Sequence, residues 1–476
     1  MTRDFPTTQL GCSAPSPTPP AASPRMITTT IKIVLHQPEP IDAGVPAYAV
    51  ALAELGRAGR LVIYGGAGIS LAEPAGLPTG AAVAKGIYDR LRDAFPAIAG
   101  VNEHDLVAVA DAVAVLASGE EALRLTAARV AEFTSATPTY GHRVLALLLL
   151  EGVVEAMTTN WDDCIERGGG GERVSSIVTE HDLLHVAPRA VLKIHGCATQ
   201  PASLLITSAH LASPPSWVSD QTRARLGTAV VVFVGIGDVA GYVRVRIEEA
   251  LADAGPPANV RIVSPGINDG WDGSQWAELL PNLDPQQRIA MTADAFLEKV
   301  GSGFVHIVLA SVAAELGAEA ELAAYFHAAS SGLRTHDPAT VLQWARHTGV
   351  VAEPGSSVLD SPAMSSALLA VGKLFGPNFT LTREGTIETD EGQYEVLVAV
   401  GTQSASRLRR EAQNRLERHL GNGIEPKFLV SGGVGWPAAE PVGDHDILGG
   451  GLPGDVVDGP INATAEILRA ELVIAG

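Results

Sequence analysis

The chain has 476 residues, with 33 lysines and arginines against 53 aspartates and glutamates, for a formal net charge of −20. Phosphate contacts need a basic face, so a balance this acidic argues against direct nucleic-acid binding. Hydrophobic residues make up 46% of the sequence, a globular composition with core enough for two domains. Residues 1–26, with the run Ser-Ala-Pro-Ser-Pro-Thr-Pro-Pro, are low-complexity and cannot pack a core. They lack the apolar middle of a signal peptide, so a disordered tail is expected, with Met26 as an alternative start. The three cysteines, Cys12, Cys164 and Cys197, show no pairing pattern and suit a reducing cytoplasm. No uninterrupted apolar run reaches the roughly 20 residues that span a bilayer, so neither a membrane nor a nucleic acid is expected as a partner.

The first informative element is the apolar run Leu61 to Tyr64, which opens into Gly65-Gly66-Ala67-Gly68-Ile69-Ser70. This pattern predicts a buried strand, a tight glycine turn and then a helix, a place where backbone N–H groups converge and can bind a pyrophosphate. The structural alternative is a turn and nothing more. A helical insert follows. Asp105 to Val115 and Glu120 to Phe133 carry apolar residues at i, i+3 and i+4. It reads either as a cap over a substrate or as ordinary helices covering the sheet. After the apolar stretch Leu145 to Val154, cut by Glu151-Gly152, comes the polar cluster Thr158-Thr159-Asn160-Trp161-Asp162. Such a cluster just past a strand lies where open α/β sheets bind ligands. Val191-Leu192-Lys193-Ile194-His195-Gly196 and Ala229 to Val234 followed by Gly235-Ile236-Gly237-Asp238 repeat the theme of a strand ending in polar or glycine residues. Ser264, after the strand Val260 to Val263, is a further candidate. The pair His181 and His185 has no third metal ligand in view and reads as an exposed helix start; Gly168 to Gly171 reads as a loop.

Taken together, Gly66-Ala67-Gly68-Ile69-Ser70, Gly76-Leu77-Pro78, Pro138 with His142, Thr159-Asn160-Trp161-Asp162, Lys193-Ile194-His195-Gly196 and Gly235-Ile236-Gly237 resemble the sirtuin (SIR2) domain in order and spacing, over roughly residues 45–300. The forms around Asn160 and His195 look more like the SIR2-like proteins of bacterial antiphage defence than like protein deacylases. Two elements of the deacylases are missing. Three cysteines without a Cys-x-x-Cys pair cannot build a Cys₄ zinc module, and Pro78 is followed by Thr79-Gly80 where deacylases carry Phe-Arg. No zinc is therefore expected.

The resemblance implies NAD as substrate, with Asn160 and His195 as the catalytic pair. The nicotinamide–ribose bond breaks through an oxocarbenium-like state, and the leaving ring departs neutral. An Asn amide can fix a ribose hydroxyl and a water, and a His near neutrality can accept a proton. Gly66, Ala67, Gly68 and Ser70 would carry the phosphates. Asp162 would bond the ribose or the nicotinamide amide, or would simply cap the following helix. Gly235, Gly237, Asp238 and Ser264 would line the adenosine side. The implied function is an NAD glycohydrolase that depletes NAD in defence. A non-catalytic NAD or ADP-ribose sensor is the alternative, with a deacylase or ADP-ribosyltransferase behind it. Relatives of this type pair with a sensor such as a HerA-like ATPase or a short Argonaute, and a homo-oligomer is expected.

The fold expected is α/β: a Rossmann-like parallel sheet flanked by helices over 27–300, a connecting helix within 301–335, and a smaller α+β domain over 336–476. In that last part the pattern predicts helices at 339–347, 363–375, 403–420 and 462–474, a loop at 349–362, and strands at 379–383, 385–389, 393–400 and 426–431. Arg407, Arg409, Arg410, Arg415 and Arg418 predict a basic helix face, either solvated or set against a partner or anion. The helix expected over 305–329 is apolar on more than one face, which calls for neighbours on several sides, from its own chain or a second subunit. Residues beyond about 330 are expected to mediate assembly and to control activity.

Overall fold

A computed structural model describes residues 35–184, 189–227, 229–236, 241–254, 257–317, 319–351, 356–382, 384–401, 405–421, 427–432 and 467–475. The tail expected at 1–26 lies outside them, as do His185, Gly237 and Asp238.

Helix α1 (Ala47–Arg57) leads into β1 (Leu61–Gly65), every residue of which is buried. Helices α2 (Gly80–Leu91), α3 (Leu106–Ala114) and α4 (Gly119–Arg129) form the insert. Thr79 and Asp105 cap α2 and α3 by accepting from first-turn amides. Helix α5 (Tyr140–Leu150) occupies the first part of the apolar stretch 145–154, and the strand before Asn160 is the shorter β2 (Glu155–Thr158). Leu145 to Leu149 are all buried, which erases the periodicity that tells a helix from a strand. Then come α6 (Cys164–Arg167), β3 (Ser176–Ile177), β4 (Val191–Lys193), α7 (Ser208–Ala212), α8 (Ser216–Leu226), β5 (Val230–Val234), α9 (Gly241–Ala254), β6 (Val260–Val263), α10 (Gln275–Leu279) and β7 (Arg288–Ile289).

The seven strands form one parallel sheet in the order β3-β4-β2-β1-β5-β6-β7. The chain first builds outward from β1 through β2, then crosses back to β5 on the other side. That reversal beside β1 is the switch point where open sheets of this kind leave a crevice at the strand ends.

Helix α11 spans Ala293–Leu316 and α12 spans Ala320–Arg334, so the single helix expected at 305–329 is two helices broken near Gly317, and the expected boundary at 300 falls inside α11. Alpha-helical periodicity carries across such a short break, which hides it in the sequence. By length and composition α11 would cross a membrane, yet its first two-thirds are buried against α1, α5 and α13 (Pro338–Thr348). Its neighbours are supplied by its own chain.

Strand β8 (Gly349–Val351) stands at the start of the expected loop 349–362. It is followed by α14 (Pro362–Phe375), β9 (Thr380–Leu381), β10 (Thr386–Thr389), β11 (Gly392–Val400), α15 (Ala405–Gly421), β12 (Lys427–Ser431), β13 (Ile467–Arg469) and α16 (Ala470–Ala475). The expected helix 462–474 therefore begins as a strand at 467–469. The expected strands at 379–383, 385–389 and 393–400 pair antiparallel as β9, β10 and β11, but β8, β12 and β13 add parallel strands, giving a mixed α/β sheet. Arg415 leaves the expected basic face. It is buried, and its guanidinium bonds Glu395 at 2.8 Å and Glu411 at 2.7 Å. One apolar core runs from Leu61 and Val232 through α5 and α11 to Trp344, Val358 and Val398, joining the two sheets' layers.

Candidate active site

The two glycine turns after β1 and β5 are built against each other. Gly66 N–H donates to Val234 O (2.9 Å) and Gly68 N–H to Gly235 O (2.7 Å). A Cβ on Gly68 would lie 2.6 Å from Gly235 O, and one on Gly235, where φ is +69°, would lie 2.6 Å from the amide nitrogen of Ile69. The amides of Ile69 and Ser70 turn back onto Gly66 and Ala67 within the 3₁₀ turn Ala67–Ile69. Most N–H groups of the expected phosphate cradle are thus already engaged in joining the loops, so the glycines serve close backbone approach first.

Beyond these turns lies a cavity of about 120 Å³. Ser70, Thr159, Asn160, Asp162 and His195 form its polar wall, and Gly66, Ala67 and Gly235 also line it. Leu77, Val83, Leu106 and Phe133, from the insert and its flanks, form an apolar wall. Trp161 lines it too, its ring set edge-on to Phe133 with centroids 5.9 Å apart. Gly68 is behind this lining, and half-buried Ser264 is not part of it, its N–H bonding Ile289 O.

Asn160 is set by a turn in which its N–H donates to Thr158 Oγ1 (3.0 Å), while that hydroxyl donates to Gly65 O (3.1 Å). Its side-chain Nδ2 donates to Ser70 Oγ (3.1 Å). Ser70 in turn donates to Asp162 Oδ2 (2.9 Å) and lies 3.1 Å from His142 Nε2. Asp162 Oδ1 accepts Cys164 N–H (3.1 Å) at the start of α6, close to the capping alternative, while Oδ2 is taken up by Ser70. Burial works to raise its pKa, but neighbouring His142 and Lys193 outweigh it and hold it below the usual range.

His195 follows β4, directly before Gly196, where φ is +81°. It is buried, its Nε2 has no hydrogen-bond partner, and burial with the nearby Arg246 cation pushes its pKa down to about 3. Its imidazole is therefore neutral, and a weaker base than the near-neutral histidine expected from the sequence. Arg246 is itself buried on α9, bonded to Leu211 O (2.7 Å) and Glu249 (2.6 Å). Lys193 is buried between Glu166 (3.3 Å) and the carbonyl of Asp162; burial alone would lower its pKa, and Glu166 turns the net shift upward.

Glu166, Arg246 and Asp294 join the site without any expectation from the sequence, and His142 and Lys193, present in the motifs, have no role assigned there. For His142 a local signal existed. Thr139 three residues before it forms a capping box, with Thr139 Oγ1 accepting His142 N–H and His142 Nδ1 accepting Thr139 N–H. His142, Asp162 and Cys164 place one ligand-type atom each within 4.8 Å of one another. Burial raises the Cys164 thiol well above its ordinary value, and the Arg167 cation lies 3.8 Å from its sulfur, a poor setting for a metal ion.

Residues 154–272 match the family model of the SIR2-like domain, a segment that holds Asn160, Asp162, His195 and Gly235. No protein of curated function matches the sequence. Among solved structures, one described under the mechanism and regulation of Sir2 enzymes aligns at 14% identity and a TM-score of 0.33, over 55% of this chain and 99% of the other. A Sir2 homologue mutant in complex with ADP-ribose aligns at 17% and 0.32, over 52% and 92%. A Sir2 homologue in complex with NAD aligns at 16% and 0.30, over 56% and 95%.

Proposed function

We propose, from a SIR2-like segment whose strand ends close around one cavity, that this chain is an NAD glycohydrolase releasing nicotinamide and ADP-ribose. The observation that carries the reading is the convergence of Asn160, His195, Ser70 and Asp162, drawn from three different strand ends, on a single cavity with an apolar wall. We assign this cavity to the nicotinamide–ribose end of the dinucleotide, its polar wall serving the ribose and its apolar wall the ring.

The residues suit such a cleavage. Asn160 spends one side-chain N–H on Ser70, which leaves its other N–H and its carbonyl for a ribose hydroxyl and the attacking water. Neutral His195 accepts the proton from that hydroxyl or water as C–N cleavage proceeds. The wall of Leu77, Val83, Leu106 and Phe133 receives the departing neutral ring and keeps stray water away. Sequence supports hydrolysis over deacylation, because three cysteines cannot form a Cys₄ module and the Phe-Arg element is replaced by Thr79-Gly80. We place the activity in antiphage defence by NAD depletion, with the chain assembled as a homo-oligomer or held by a partner sensor such as a HerA-like ATPase or a short Argonaute.

The discriminating experiment incubates protein and NAD with and without an acetylated peptide, and reads products by mass spectrometry. Nicotinamide and ADP-ribose formed equally in both arms support the proposal. Peptide-dependent O-acetyl-ADP-ribose contradicts it.

A further inference from the structure

Ser70 is where the loops after β1 and β2 meet helix α5. A hydroxyl has one proton and two lone pairs. Its proton goes to Asp162 Oδ2, which only accepts, so its two other contacts must be donated to it. One comes from Asn160 Nδ2 and the other from His142 Nε2. His142 must then carry its proton on Nε2. Its other nitrogen agrees, because Nδ1 lies 3.1 Å from the backbone donor Thr139 N and so must be bare. The Thr139 hydroxyl cannot protonate it, since that hydroxyl donates to Asp294 Oδ1 at 2.8 Å, an oxygen that also accepts Gly141 N–H at 2.8 Å. His142 and Thr139 are fully buried, and Asp294 nearly so. Each proton from Asp294 to Asn160 has one assignment.

We propose that His142 is a positioning residue for NAD cleavage, acting through Ser70 to fix which end of the Asn160 amide faces the cavity. If His142 carried its proton on Nδ1, Nε2 would take the Ser70 proton. Ser70 would then present a lone pair to Asp162, and the arrangement around Asn160 would lose its single solution. A flipped Asn160 would set its carbonyl against a hydroxyl whose proton is already committed. The chain from Asp294 at the start of α11 through Thr139 and His142 on α5 therefore decides the orientation of an amide that neither helix carries.

The kinetic part of this inference rests on the proposed NAD cleavage; the proton assignment does not. Long-range proton–nitrogen NMR of the full chain, with the His142→Gln variant to identify the signal, is expected to show the Nε2–H tautomer at pH 7. An Nδ1–H ring or an imidazolium there overturns the proposal. In kinetics, His142→Ala is expected to lower kcat about 10- to 100-fold, on the scale of a misplaced catalytic group, with KM changed less than about twofold. In an Asn160→Ala background, His142→Ala should add almost nothing. Losses that multiply independently overturn the proposal, because they mark His142 as a residue of general stability. Should His142→Ala fail to fold, His142→Gln and Ser70→Ala carry the same cycle. A chain that turns over no NAD contradicts the glycohydrolase reading alone. The proton chain is then judged by the tautomer and by the Asn160 side-chain amide signal, which must shift in His142→Gln; an unmoved signal overturns it.

Discussion

Gly68→Ala tests whether the two glycine turns are held together as described. Gly68 is outside the left-handed region, so alanine meets no backbone penalty and is opposed by space alone. Its Cβ would lie 2.6 Å from Gly235 O and 2.7 Å from Gly235 Cα, where real Cβ atoms keep at least 3.0 Å, so the loops must part by at least 0.4 Å. Both neighbours are backbone, and Gly235 is itself pinned between Gly68 and Ile69, so no flexible side chain absorbs the change. Overpacking of this kind costs about 1–3 kcal/mol. The same displacement strains the 2.7 Å bond from Gly68 N–H to Gly235 O and shifts Ala67 and Ser70, which line the cavity. Thermal unfolding should fall by a few degrees and NAD hydrolysis by at least tenfold, a loss matched to a sub-ångström misplacement. A variant with wild-type melting and wild-type turnover would refute the packing argument for both loops.

Two other outcomes follow from buried charges. Glu151, at the end of α5, accepts from Ser357 Oγ (2.6 Å) and from the amides of Val358 and Leu359 (3.0 Å each), and lies 3.5 Å from Arg346. Glu151→Ala leaves the amides of Val358 and Leu359 and the Ser357 hydroxyl without their acceptor, while Arg346 keeps Glu172 (2.9 Å), so chemical denaturation should show a loss of about 1–3 kcal/mol; an unchanged stability contradicts this junction. His195 supplies a pH dependence. With its pKa pushed down to about 3, kcat/KM, which reports the free enzyme, should show no acid limb near 6.5, the usual histidine value, and a limb centred there contradicts the assignment. The sign for stability is the same in character: below 6.5 the unfolded chain takes up a proton that the folded site refuses. Stability therefore falls from about pH 6.5 towards 3 by at most roughly 1.4 kcal/mol per unit, and His195→Gln should flatten that slope.

The central strands were legible because β1 and β5 are buried on both faces and read as unbroken apolar runs ending in glycine. Asn160 and His195 were legible because both stand at strand ends, where ligand chemistry gathers. The network behind them was not. His142 and Lys193 stand in the motifs, but Asp294 does not: it reaches Thr139 from 155 residues away on α11, and no local spacing marks such a contact. The break between α11 and α12 escaped notice because both helices keep one apolar pattern. Strand β13 was hidden because three residues paired to β12 leave no periodicity of their own. Arg415 departs from the charge pattern along α15 because its partner Glu395 comes from β11, distant in sequence.

NAD cleavage itself is measured by incubating the full chain with NAD and quantifying nicotinamide and ADP-ribose, alongside Asn160→Ala and His195→Ala. The wild type should release both products. Each variant should lose at least about 100-fold, the scale of one acid–base group, with its fold intact by circular dichroism. Product release by Asn160→Ala at the wild-type rate, or binding of NAD by the wild type with no turnover under any condition of assembly, would contradict it.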